Sequence, residues 1–157
     1  MKKLSLIITV LFIALTTNTF AQEIPKQAFE VKVITSVESI IPSGLGRSRL
    51  ISTNDERDYK KYTSSQTEDD TTRNKSKRKD IRVKEFEETK LLNFYSIAGI
   101  RFQNIAANDA LISSKLTTML SEGWNLEFIT SAVESDAGEK DGNGIFITRY
   151  IFKRKLN

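Results

Sequence analysis

From Ser52 to Asp80 the chain runs 29 residues, STNDERDYKKYTSSQTEDDTTRNKSKRKD, without one aliphatic or phenylalanine side chain. Tyr59 and Tyr62 are its only large apolar groups. Such a segment cannot bury enough surface to offset the entropy of ordering it. Residues 52–80 are therefore expected to be a mobile polar insertion, and the core has to be drawn from the residues on either side. The insertion ends in KSKRKDIRVK, with positive charge at Lys75, Lys77, Arg78, Lys79, Arg82 and Lys84. A run of this kind is ordinarily a solvated face; its other use is contact with an acidic partner or an anionic envelope surface.

The flanks carry clear periodicity. In FEVKVITSVESII, Phe29, Val31, Val33, Thr35, Val37, Ser39 and Ile41 fall on one side and Glu30, Lys32, Ile34, Ser36, Glu38 and Ile40 on the other. The pattern predicts a strand, with the first side buried and the second partly wet. In AANDALISSKLTTMLSEG, the residues Leu111, Ile112, Lys115, Leu116, Met119 and Leu120 recur at helical spacing. Asn108 or Asp109 is suited to accept backbone N–H bonds at the start of that helix, and Gly123 to stop it. WNLEFITSAV and IFITRYIFKRK then read as two strands of a hairpin. On the second, Phe146, Thr148, Tyr150 and Phe152 share one side.

Between these lies an apolar stretch, residues 85–105, whose type stays open. Leu91, Phe94, Tyr95 and Ala98 have helical spacing with Gly99 as a cap, yet the run is also apolar on both sides, as a buried strand is. The expected class is α+β: a small antiparallel β-α-β-β sheet packed on one amphipathic helix, with the polar insertion after the first strand.

At the N-terminus, Lys2 and Lys3 precede an apolar run from Leu4 to Leu15, and Thr19-Phe20-Ala21 supplies small residues at the positions a signal peptidase reads. Residues 1–21 are expected to be an export signal cleaved before Gln22. The remaining 22–157 would form a single domain in the periplasm or outside the cell, with no membrane span after cleavage. Without Lys2 and Lys3 the chain has 22 basic and 20 acidic side chains. That near-balance and the absence of an aromatic-basic stacking motif argue against nucleic acid as a partner. There is no cysteine and no histidine. Disulfides, thiolate chemistry, Ser-His-Asp triads and the usual zinc sites are excluded, and no cofactor is expected. An exported domain free of disulfides points to a bacterial envelope.

Gly123-Trp124 after the helix and Phe152-Lys153-Arg154 at the end of the last strand give LSEGWNLEFITS…RYIFKR a further reading. In this pattern the chain resembles the domain-of-unknown-function family 4177, over Val31 to Val37 and about Asp109 to Lys155. The resemblance implies a compact β-α-β-β unit and brings no catalytic residues. It makes Gly123, Trp124 and Phe152 a structural signature, with the indole covering the helix against the sheet.

Three stretches invite a chemical reading. PSGLGRSR, residues 42–49, places Gly44 and Gly46 before Arg47 and Arg49. It lacks the Gly-Lys-Ser/Thr of a phosphate loop, so the glycines read as turn residues. The arginines are free to pair with Glu38, with the chain's other acids, or with an external carboxylate or phosphate. EKDGNGIF resembles the start of an EF-hand loop, but its twelfth position is Tyr150 and its flanks are strands. Asp136, Glu139, Asp141 and Asn143 then remain as oxygen ligands for a looser calcium site, with a plain turn as the simpler reading. Glu87 with Glu88, or Asp69 with Asp70, supplies paired carboxylates for acid–base work, provided they converge on a substrate.

The resulting expectation is a non-catalytic module binding a protein or cell-envelope component through Arg47, Arg49 and the basic insertion, or through an exposed strand edge. The alternatives are a carboxylate-dependent hydrolase of envelope polymers and a calcium-stabilised domain.

Overall fold

A computed structural model of the chain describes residues 28–42, 46–135 and 144–156. The expected export signal (1–21), Gly44, and the calcium candidates Asp136, Glu139, Asp141 and Asn143 lie outside the described residues. The chain divides into two units, and the one treated below is Phe29–Arg154. Of the other, residues 1–28 with 155–157, the described part is Ala28, Lys155 and Leu156; the Leu156 N–H donates to the Ala28 carbonyl at 3.0 Å.

Among the described residues, seven strands and two α-helices follow one another as β1 (Phe29–Ser39), β2 (Arg49–Ser52), α1 (Arg78–Ile81), β3 (Glu87–Lys90), β4 (Tyr95–Ser96), β5 (Gly99–Ile100), α2 (Phe102–Ser121), β6 (Asn125–Glu134) and β7 (Ile145–Lys155). Five of the strands form an antiparallel sheet in the order β3-β2-β1-β7-β6, and β4-β5 is a separate two-residue hairpin. The fold is α+β, with one main helix, as the periodicity indicates.

The inner side of the sheet is set by register. Ser36 of β1 lies opposite Leu50 of β2, and Leu126 of β6 opposite Phe152 of β7. Ile34, Leu50 and Phe152 then meet Ile112 and Met119 of α2, with Leu91 and Trp124, in one core; Leu116 and Tyr150 pack at its margin. Phe152 and Ile34 have no exposed surface at all.

The β1 expectation is therefore inverted. Ile34, Ser36 and Glu38 are buried, whereas Val31 is 63% exposed and Val33 42%. Counting apolar residues along β1 selects the valine side. Burial goes instead to the side where α2 lands, and Leu50, Phe152 and Trp124 draw the helix there. Ser39 alone of the other side is buried, at the point where the chain leaves the strand.

Helix α2 also begins earlier than the expected 109. Its N-cap position is Arg101, which makes no side-chain capping bond, and Asn108 sits fully buried inside the helix. Its end is as expected. Gly123 (φ +84°) follows the C-cap, the Gly123 N–H donates to the Leu120 carbonyl and the Trp124 N–H to that of Met119, which is a Schellman stop. Gly99 (φ +104°) is not a helix cap; it closes the β4–β5 hairpin, paired with Ser96. The open stretch 85–105 thus resolves into β3, that hairpin and the first turn of α2.

Two short strands have no periodicity to betray them. RLIS (β2) pairs with β1 through Leu50 and Ile51, and EETK (β3) pairs with β2 while all four of its side chains stay exposed. The polar insertion consequently follows β2 rather than the first strand, and Ser52, expected to open it, is instead the last residue of β2 and is buried where that strand pairs with β3. No side chain between Thr53 and Phe86 is buried, and the segment is tied by polar bonds of its own: Tyr62 hydroxyl to Asp80 carbonyl (2.9 Å), Asn74 amide to Lys61 carbonyl (2.8 Å), Thr53 hydroxyl to Glu85 carbonyl (3.0 Å).

Candidate functional site

The glycine–arginine loop is a structural corner. Gly46 has φ +110°, and a Cβ there would lie 2.4 Å from the Ser39 hydroxyl, so only glycine fits. Ser48 fastens the same corner: its hydroxyl accepts from the Ser39 N–H at 2.9 Å and donates to Asn93 at 2.7 Å, while the Asn93 amide reaches the Gly46 carbonyl. Arg49 is engaged on the outer side of the sheet, paired with Glu88 of β3 rather than with Glu38, and it donates to the Ser48 carbonyl. Arg47 is exposed. The two arginines are thus not a pair converging on one anion.

The paired carboxylates separate as well. Adjacent strand residues point to opposite sides of a sheet. Glu87 turns inward to Lys115 and the Ser52 hydroxyl, both at 2.8 Å, while Glu88 turns outward to Arg49. The Lys115 bond, followed by that from Ser52, holds the Glu87 carboxyl below its ordinary range. Asp70 is held low too, by the N–H and hydroxyl of Thr72 in the insertion. Glu87 and Glu88 therefore do not converge on one site.

A groove of about 830 Å³ opens between the base of the insertion and the C-terminal end of α2. Lys32, Arg57, Glu87, Lys115, Trp124 and Arg154 are among the residues lining it. Its cations are already answered: Lys32 by Asn54, Arg57 by Asp55, Lys115 by Glu87, Arg154 by Glu30. Trp124 is 6% exposed and the Arg154 guanidinium lies 4.3 Å from the centroid of its ring. That cation–π contact occupies the ring, which serves as core and not as a platform for a ligand.

Beneath α2, Glu38 is an ionisable side chain that the periodicity did not single out. The Asn108 amide donates to Glu38 at 2.7 Å and to the Leu92 carbonyl at 2.8 Å, and the Leu92 N–H donates back to Asn108 at 2.8 Å. Burial raises the Glu38 carboxyl above its ordinary pKa, and burial likewise raises Tyr150. Asn108 ties helix, β1 and the chain after β3 together, a clamp rather than a reaction centre. Among the described residues there is no cluster of three or more acids that could hold a metal ion.

Among the described residues, the far edge of the sheet is left unoccupied. All ten residues of β6 are exposed, on both sides. Register with β7 places Leu126, Ile129, Ser131 and Val133 on the helix side and Phe128, Thr130 and Ala132 on the outer side, with a bulge at Glu127. Phe128 is 60% exposed and Val133 62%. The helix does not close over the strand: Leu120 of α2 is also exposed. The signal was present in the sequence, since NLEFITSAV lacks the apolar–polar alternation of an ordinary edge strand.

The site is thus that of an α+β domain with one unprotected sheet edge and no convergent catalytic group among the described residues. Comparison with protein-family models, with curated proteins and with solved structures finds no match.

Proposed function

We propose that the chain is a non-catalytic interaction module of an exported protein, and that it binds a protein partner by adding a strand to β6. The observation that carries this reading is a ten-residue edge strand apolar on both sides. Edges ordinarily carry charge, proline or a cover, and exposed apolar surface of this extent marks an interaction site. In strand addition, main-chain bonds give affinity and alternate side chains give selectivity. Leu126, Ile129 and Val133 would hold one set of partner side chains; Phe128 and Ala132 would hold the other. The basic end of the insertion, Lys75 to Lys84, and Arg47 are then solvated charge, and neither is needed for the contact.

A photo-crosslinking residue placed at Thr130 in the expressing cell should yield protein adducts, and the same residue at Thr117, on the solvent side of α2, should not. Equal yields at both positions would remove the reading. Export is tested separately: the secreted or periplasmic product should begin at Gln22.

A further inference from the structure

We infer that the strand seated on β6 is β6 of a second copy, so that two five-stranded sheets join across a two-fold axis into one of ten. This rests on the reading of β6 as the binding edge and goes on to name its occupant.

The sheet's two edges favour a closed pair. β3, at the other edge, is four residues long, wholly exposed, and built from Glu87, Glu88, Thr89 and Lys90. Its carboxylates are committed to Lys115 and Arg49. A head-to-tail contact would need β3 as the complement of β6 and would propagate into filaments; a two-fold contact needs β6 alone and stops at two copies.

The strand is also complementary to itself. In antiparallel pairing, opposed residues share a side of the sheet. Centring the axis on Thr130 sets Thr130 against its own copy, Phe128 against Ala132, and Ile129 against Ser131. Phe128 and Ile129 then each face a small side chain on the same side, the arrangement in which cross-strand pairs pack without clash. Charge is confined to Glu127, in the bulge, and Glu134, at the end; the stretch from Phe128 to Val133 has none and no proline. On the helix side the axis brings Ile129 diagonally beside Ile129 of the copy, and Val133 toward the copy's bulge and its Leu126.

The backbone supplies the rest. Every other residue of an antiparallel strand turns its N–H and C=O away from its existing neighbour. Among the described residues, β6 has no backbone bonds to any strand but β7. In this register Leu126 to Glu134 overlap the copy, about 30 Å of strand, and with Glu127 in the bulge they would exchange roughly eight bonds, within the range of an ordinary interface. The contact is narrow, so the pair is expected to dissociate on dilution.

The chain has no cysteine, which makes a single introduced thiol a clean reporter. Opposed Cα atoms in antiparallel strands lie about 4.5–5.5 Å apart, inside the span of a disulfide. The purified Thr130→Cys variant should oxidise to a covalent dimer at least tenfold faster than Thr117→Cys. The parent chain should show a dimer by sedimentation velocity that grows between about 1 and 200 µM, and Phe128→Lys with Ile129→Lys should abolish it while preserving the circular dichroism spectrum. A chain that stays monomeric throughout, with no faster oxidation at position 130, overturns the second copy as occupant. The β6 edge itself then stands or falls on the adducts formed from Thr130 in the cell, which would be with another protein. A dimer that forms while oxidation at 130 is no faster than at 117 also overturns the pairing, since it puts the contact elsewhere.

Discussion

The two edges of the sheet solve the same problem in opposite ways. β3 is short and entirely polar, and it spends its side chains on ion pairs to both sides, Glu87 inward to Lys115 and Glu88 outward to Arg49. β6 is more than twice as long and presents Leu126, Phe128, Ile129 and Val133 to solvent. Such protection of β3 blunts an edge against stray pairing. Its absence on β6, within the same sheet, marks where this fold leaves room for another strand.

The sharpest way to break that contrast lies in two phenylalanines on neighbouring strands. Phe152 is wholly buried and Phe128 mostly exposed. Phe152→Ala should cost about 3–5 kcal/mol in urea unfolding, and Phe128→Ala about 1 kcal/mol or less in the monomer. Comparable losses would mean that β6 is covered after all. Next in size is the clamp. Asn108→Ala leaves Glu38 and both backbone groups of Leu92 without their partner, and about 3 kcal/mol of stability should go with it. Unchanged denaturation would show that Asn108 carries no load.

Two carboxylates should respond to pH with opposite signs. Glu38 is raised above 4.5 by burial. The folded chain therefore binds that proton more tightly than the unfolded one, and the resulting stability is full below 4.5 and lost as pH rises through the folded value. Glu38→Gln should raise Tm at pH 7, with the gap to the parent closing in acid. Glu87 is lowered by Lys115 and Ser52. Its contribution is present above 4.5 and lost as pH falls through the folded value, so Glu87→Gln should lower Tm at pH 7 and not at pH 3. The pair is exposed, and the effect is the smallest of the set, under about 1 kcal/mol. Calorimetry across pH 3–8 checks both signs.

Much of this architecture was legible. β7, the second half of α2 and the Gly123 stop follow from periodicity and from one residue able to take φ +84°. Trp124 and Phe152 were expected inside and are inside. β2 and β3 were not legible, because four residues are too few to show a period and β3 buries nothing; only pairing makes EETK a strand. Asn108 and Asp109 are residue types that favour a cap, but Arg101 holds the cap position because the chain enters the helix directly from the β4–β5 hairpin, and Asn108 lies inside it. Glu87 and Glu88 looked like a pair because they are neighbours, and a strand sends neighbours apart.

By itself the sequence determined that the stretch 52–80, apart from its first residue Ser52, could not join the core, that histidine and cysteine chemistry was closed, and that β1, α2, β6 and β7 would form. Each of these depends on composition or on a local period, which fixes how side chains alternate within one element. Tertiary structure decided which side of β1 is dry, which carboxylates share a face, and which edge of the sheet is left open. Burial is conferred on a strand by whatever lands across it, and where α2 lands depends on Leu50, Phe152 and Trp124, residues that meet only after the chain has closed over the insertion.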